Sequence, residues 1–409
     1  MKKLPILLLC MLFTKEPFAK TWVVAPNTAL SNLRQAVKLA HNGDSILVKK
    51  GTYSSVNTII DKSLVITGEN FPVLDARFAD EAVTILANQV TFRGFIVKNS
   101  KTGSMRDYAA IRLFNVRHVT ISHNRLVNNF FGIYLANSKN CTVTNNDIIG
   151  TNNRQNSGNG IHLWQCDSIL IRDNRVSEHR DGIYFEFARH SLIEHNYSEK
   201  NLRYGLHFMF SDNDIYRHNT FKNNGSGVAV MYTKHITMFN NLFIENWGSS
   251  VYGLLLKDIS DSRIMNNRFV GNTTAVYMEG SDRIVVTGNN FIRNGWAIRV
   301  LANCNGNRFM KNNFMANSFD VTTNGSINLN HFADNYWDKY EGYDLNKDGI
   351  GDIPYHPVSL YAQVIEQIPQ SVMLMRSFIV NLLDKVERSI PSVTPESVKD
   401  EKPRMKPNY

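Results

Sequence analysis

Two groups of side chains have types and spacings that could do chemistry. The first is His207, Met209 and Met231, with Glu186 upstream. An imidazole and two thioethers form a donor set for a soft cation such as Cu(I), and a carboxylate would add charge. The same methionines could equally serve as adaptable packing under a loop or on a docking surface. The second group lies in GYDLNKDGIGDIPY, Gly342 to Tyr355. Asp344, Asn346, Asp348 and Asp352 fall at the oxygen-donor positions of a calcium loop, with Gly349 at its turn. The loop's last position is Tyr355 in place of a bidentate glutamate, and no helical pattern immediately flanks it. These oxygens could hold a structural calcium or bond the local amides of a tight turn.

Which of these side chains meet depends on a repeat. The runs AIRLF, GIYLA, GIHLW, GIYFE, GLHFM, GVAVM, GLLLK, AVYME and AIRVL begin at 110, 132, 160, 182, 205, 227, 253, 275 and 297. Their spacing is 22 or 23 residues, except for two longer intervals of 28 and 26. An asparagine returns 14 residues after each of the first eight starts, from Asn124 to Asn289, and Asn312 follows displaced by one. A second polar column includes Asn129, Asn201, Asn224, Asn246, Asn272, Asn294 and Asn317. The extra residues of the long intervals fall between an asparagine and the next start, so one corner tolerates insertion.

Within each run apolar residues alternate with period two, which is strand behaviour. The repeat is too short for a propeller blade. It predicts an all-β chain, a right-handed parallel β-helix in which each strand pairs with its counterpart one coil on. The residues two and four after each start then face outward. One outward column reads Tyr134, His162, Tyr184, His207, Ala229, Leu255, Tyr277 and Arg299. The other reads Ala136, Trp164, Glu186, Met209, Met231, Lys257, Glu279 and Leu301. Met209 and Met231 stand about 5 Å apart at the backbone, and His207 is about 7 Å along the strand from Met209.

The ends need covers, because an open coil exposes core and unpaired backbone. Leu30–Asp44 has helical periodicity and suits the first end. Helical patterns over Val358–Ile368 and Ser371–Ile390 follow the last coil; the second carries Val372, Leu374, Met375, Phe378, Ile379, Leu382 and Leu383. We divide the chain into a signal peptide (1–19), a cap with the first coils (20–75), β-helix repeats (76–330), a junction (331–357), C-terminal helices (358–391) and a disordered tail (392–409). Lys2 and Lys3 before the apolar run Leu4–Phe13 mark the signal peptide, so export is expected. The formal net charge of +9 suits acidic sugars, an anionic membrane surface or an acidic partner, or simply solubility; export disfavours nucleic acid. Cys141, Cys166 and Cys304 are expected to be buried small hydrophobes.

Many β-helices process acidic polysaccharides, so a carbohydrate-active lyase, hydrolase or epimerase is the alternative class. That chemistry needs clustered carboxylates on one face. Glu186 and Glu279 lie four coils apart in the outward column, roughly 19 Å. No catalytic residue is assigned.

YGLHFMFSDND, GVAVMYTKH, NYWDKYEGYDLNKDGIGDIPYHPVSL and LMRSFIVNLLDKVERSIPSV resemble the NosD family, periplasmic maturation proteins for the copper enzyme nitrous-oxide reductase. The resemblance spans the mature chain. It implies a non-catalytic role in which copper, as Cu(I) cargo, is accepted from a membrane-associated copper chaperone. It also implies an ABC-type transporter whose membrane subunit receives the C-terminal helices, leaving the protein peripheral to the inner membrane. The copper centre of nitrous-oxide reductase is the implied destination. Under that resemblance His207, Met209, Met231 and Glu186 are the copper candidates, and the loop at Asp344–Asp352 is at most a structural calcium site.

Overall fold

Three parallel sheets run side by side between Thr21 and Trp337, and each coil between the two end coils contributes one strand to each. The computed structural model describes residues 19–151, 158–325, 329–375, 377–389, 395 and 397–408. Among these the sheets contain 14, 12 and 13 strands, each strand pairing with its counterpart one coil before and after. The chain is an all-β parallel β-helix. The signal-peptide reading concerns residues that, apart from Ala19, lie outside the described ones.

Interior side chains stack coil on coil. Phe221, Phe243, Phe269, Phe291, Phe314 and Trp337 form one such column, with ring centroids 4.0 to 5.4 Å apart. The asparagines form polar columns beside it. Asn146 donates to Asn174 Oδ1 from its backbone N–H and from Nδ2, each at 3.0 Å, and Nδ2 also reaches Ile121 O at 3.0 Å. The pattern repeats upward through Asn196, Asn219, Asn241, Asn267, Asn289, Asn312 and Asn335. A buried amide is tolerable only when bonded, and here each asparagine satisfies the corner of its neighbour. The residue before the ladder asparagine sits in the left-handed region, as at His195, His218 and Asn240. Among the described residues Cys141, Cys166 and Cys304 are free and buried, as expected.

Helix α1, Leu33–Leu39, covers the first coil with Leu33, Ala36 and Val37 buried, and Asn32 caps it by accepting from Arg34 N at 2.8 Å. It is shorter than the periodic stretch Leu30–Asp44. At the other end helix α2, Leu360–Gln367, is followed by a 3-10 turn over Pro369–Leu374 and helix α3, Phe378–Ser389. Tyr361, Ala362 and Ile365 of α2 and Val380 of α3 pack with Phe319, and Arg299 pairs with Glu366 at 2.8 Å. These helices lie against the outer face of the 12-stranded sheet.

The last rung is closed by residues 397–408, which corrects the expectation of a disordered tail over 392–409 for that part; 392–394, 396 and 409 lie outside the described residues. Parallel bridges join Phe332 to Asp400 and Tyr336 to Arg404. Antiparallel bridges join Tyr355 to Asp400 and Ile350 to Arg404. Asp400 is fully buried and takes the place of the next ladder asparagine, accepting from Asn335 Nδ2 at 2.9 Å and Trp337 Nε1 at 3.0 Å. The charged, proline-containing composition describes a segment with no periodicity of its own, and the exposed edge of the last coil supplies the order.

Candidate functional site

The candidate copper residues lie on the outer face of the 12-stranded sheet, where the outward columns are realised. His162, Tyr184, His207 and Ala229 occupy successive rungs, as do Trp164, Glu186, Met209 and Met231. The rings of the first column lie against one another: Tyr134 stacks on His162 at 4.4 Å, and tilted contacts join His162 to Tyr184 and Tyr184 to His207, each at 4.8 Å. Tyr204 lies on His207 as well, at 4.8 Å. His207 is thereby only 4% exposed, although it projects from the outside of a sheet.

Tyr184 links the two columns. Its hydroxyl donates to Met209 Sδ at 3.6 Å while its ring lies against His207. The thioether and the imidazole therefore meet at one phenol. Met231 is the register neighbour of Met209 on one side and Glu186 on the other, and all three are half-buried. Burial of Tyr184, with the Glu186 carboxylate beside it, raises the phenol above its ordinary range, so it acts as a hydrogen-bond donor.

The electrostatics of His207 come from residues that alternation does not place on this face. Asp181, fully buried, accepts from Arg203 Nε at 2.9 Å and from Arg203 Nη2 at 2.6 Å. Its Oδ2 lies 3.6 Å from His207 Nδ1, and Arg180 Nε is 3.7 Å from the same oxygen. Burial pushes the His207 pKa down, against the pull of Asp181. His162 is lowered to about 3 by burial and the charge of Arg180. Both imidazoles are neutral near pH 7, the state in which a ring nitrogen can ligate. His207 Nε2 is buried and has no hydrogen-bond partner. A carboxylate on the Nδ1 side of the ring is the partner that metal-binding histidines commonly use to orient the opposite nitrogen.

Asp181 and Arg203 escape a strict period-two reading. Asp181 precedes the start by one residue, and odd parity sends it inward. The pairing omits Gly182 and Gly205: Asp181 pairs with Tyr204 and Ile183 with Leu206. At Gly205 a Cβ would stand 2.7 Å from the carbonyl oxygen of Gly227, so this crossing needs glycine, and the alternation slips there. The recurring glycine at the start of the runs was the available signal.

The second candidate group is a self-bonded turn at the solenoid's far end. Asp344 accepts from Gly349 N at 2.9 Å and Asp348 N at 3.2 Å, Asn346 from Asp348 N at 3.0 Å, Asp348 from Ile350 N at 2.8 Å, and Asp352 from Leu345 N at 2.7 Å. The tail pins it through Gly351 N to Pro403 O at 2.8 Å and Met405 N to Gly349 O at 3.0 Å. Among the described residues no three His, Cys, Asp or Glu side chains form a group that could hold a metal. Glu186 and Glu279 stand four rungs apart, with Lys257 paired to Glu279 at 3.1 Å.

The family model described as "Periplasmic copper-binding protein (NosD)" matches residues 150–342, which include all the copper candidates. The Pseudomonas aeruginosa protein named probable ABC transporter binding protein NosD is 30% identical over 376 residues, covering 87% of this chain and 87% of that one. Its namesake from Stutzerimonas stutzeri is 29% identical over 321 residues, covering 73% and 72%. Among solved structures, a Yersinia enterocolitica family 28 exopolygalacturonase aligns with TM-score 0.60 at 10% identity, over 78% of each chain. The A-module of an Azotobacter vinelandii mannuronan C-5 epimerase aligns with TM-score 0.55 at 15% identity, over 75% of this chain and 90% of that one. At such identities the likeness is one of fold.

Proposed function

This chain belongs to the NosD family, and from that premise we propose that it is an exported, non-catalytic factor that holds Cu(I) for delivery to the copper centre of nitrous-oxide reductase. The observation that supports this reading is the meeting of His207 and Met209 at Tyr184, with Met231 and Glu186 on the flanking rungs. His207 Nε2 and the two thioethers are the donors, a soft set that favours Cu(I) over harder divalent ions. Glu186 adds negative charge at the edge, and the ring stack keeps water from the imidazole. Copper passes through as cargo, accepted from a membrane-associated chaperone.

The relatives' names point to an ABC-type transporter as partner. Helix α3 offers it an apolar face: Phe378 is 80% exposed, and Ile379, Leu382 and Val386 are also exposed. No described helix is long and apolar enough to cross a membrane; attachment to the inner membrane would run through that partner.

Anaerobic Cu(I) titration against a competing chelator tests the site. The wild-type protein should take up one tight equivalent, and His207→Ala/Met209→Ala/Met231→Ala should lose it. Equal stoichiometry and affinity in the two proteins would remove the site from consideration.

A further inference from the structure

Arg203 and Asp181 together decide which nitrogen of His207 is available. Arg203 Nη2 bonds Asp181 Oδ2 and also lies 3.1 Å from His207 Nδ1. A guanidinium has donors and no acceptor. Nδ1 must therefore accept this contact, and the ring proton sits on Nε2. No partner on the far side of the ring favours that arrangement among the described residues, because Nε2 is buried and unbonded. The alternative acceptor for an Nδ1 proton, Asp181 Oδ2, lies at 3.6 Å, longer than a hydrogen bond and farther than Nη2.

We propose that Arg203 is a latch: it holds His207 in the tautomer that cannot ligate, and copper enters only when its Nη2 leaves Nδ1. This rests on the copper reading of His207 above. In the opening step Nη2 withdraws from Nδ1 and from Asp181 Oδ2, while Arg203 Nε keeps Oδ1. The Nε2 proton departs to solvent, Nδ1 takes one up, and Nδ1–H donates to the freed Oδ2. The Nε2 lone pair is then open to the cation. Proton count and oxidation state do not change.

The two partners differ in access. The Asp181 side chain is fully buried, whereas that of Arg203 is 44% exposed. Its guanidinium lies over the Tyr204 ring at 4.8 Å, an aromatic surface that can support it as Nη2 moves. Arg203, unlike Asp181, can thus be reached by a docking partner from outside. Asp181 is the positioning residue that takes over the imidazole once the latch opens.

The test begins without metal. In apo protein labelled with nitrogen-15 at histidine, long-range proton–nitrogen correlations report the His207 tautomer, assigned by difference against His207→Gln. The wild type should show Nε2–H and Arg203→Met should show Nδ1–H. A wild type already in the Nδ1–H form, or a variant that stays Nε2–H, overturns the latch. In the second arm Arg203→Met should bind Cu(I) about tenfold more tightly, the scale of one charge-assisted hydrogen bond, and Asp181→Asn more weakly. A switched tautomer with unchanged Cu(I) affinity also overturns it. Should Arg203→Met not fold, Arg203→Lys retains the charge without the fork and should move both readouts the same way. If no form binds Cu(I), the copper reading fails and the latch with it; the metal-free arm shows whether the hydrogen-bond geometry was itself sound.

Discussion

Replacing Asp400 should loosen the end of the solenoid by an amount that can be worked out from its partners. The carboxylate accepts from Trp337 Nε1 at 3.0 Å, Asn335 Nδ2 at 2.9 Å, Asn335 N at 3.2 Å and Lys402 N at 3.0 Å. Trp337 and Asn335 are both buried, so Asp400→Ala leaves three donors facing an apolar methyl. A stranded buried donor costs about 1–3 kcal/mol; water entry at an end rung lowers the sum, and about 3 kcal/mol is a fair expectation. Asp400→Asn keeps a carbonyl oxygen at the Oδ2 position, where Asn335 and Trp337 both donate, and loses chiefly the bond from Lys402 N to Oδ1, at about 1 kcal/mol. Solenoids can open from an end without global unfolding, so the proper readout is hydrogen exchange along the tail and the last rung. At about 1.4 kcal/mol per decade, Asp400→Ala should exchange roughly a hundredfold faster over 398–408 and at Asn335, and Asp400→Asn less than tenfold faster. Unchanged protection in Asp400→Ala would refute the view that this segment is the cap.

Burial raises the Asp214 carboxyl to about 8, with Ser191 N donating to Oδ1 at 2.7 Å and Oδ2 unbonded. The folded protein holds this proton more tightly than the unfolded chain, so stability falls as pH rises from about 4 to about 8. Asp214→Asn should match the wild type near the lower limit and exceed it near the upper, in urea midpoints measured across that range. Phe378→Asp/Ile379→Asp should leave thermal unfolding unchanged and abolish capture of the transporter from a membrane extract, since exposed apolar anchors of this kind carry on the order of 2 kcal/mol each. Retained capture would move the docking surface elsewhere. Because the oxygens of Asp344, Asn346, Asp348 and Asp352 already accept from the loop's own amides, melting temperatures in millimolar calcium and in chelator should agree. A clear rise with calcium would restore the cation reading of this turn.

The face carrying the candidate site was legible residue by residue, and its chemistry only partly so. Register follows from a fixed offset, so Met231 above Met209 and Tyr184 beside His207 could be placed without coordinates. Asp181 could not, because the slip at Gly182 depends on a carbonyl of the next coil and on no local pattern. Nor could Arg203, which reaches the site from the corner before the strand. The tail's order was hidden for a related reason: residues 397–408 have no periodicity, and their partners Asn335 and Trp337 are more than sixty positions away.

The sequence by itself determined the architecture and the columns. In a solenoid each coil pairs with a copy of itself at a nearly constant offset, so a one-dimensional period is enough to specify the neighbours. Only the tertiary structure decided which neighbours interact electrostatically. The burial of His207 beneath two tyrosines, its sharing of Asp181 with Arg203, and the closure of the last rung by Asp400 all depend on distances between groups that the period does not relate. Hydrogen bonds and pKa shifts vary steeply over fractions of an ångström, and repeat spacing carries no information at that scale.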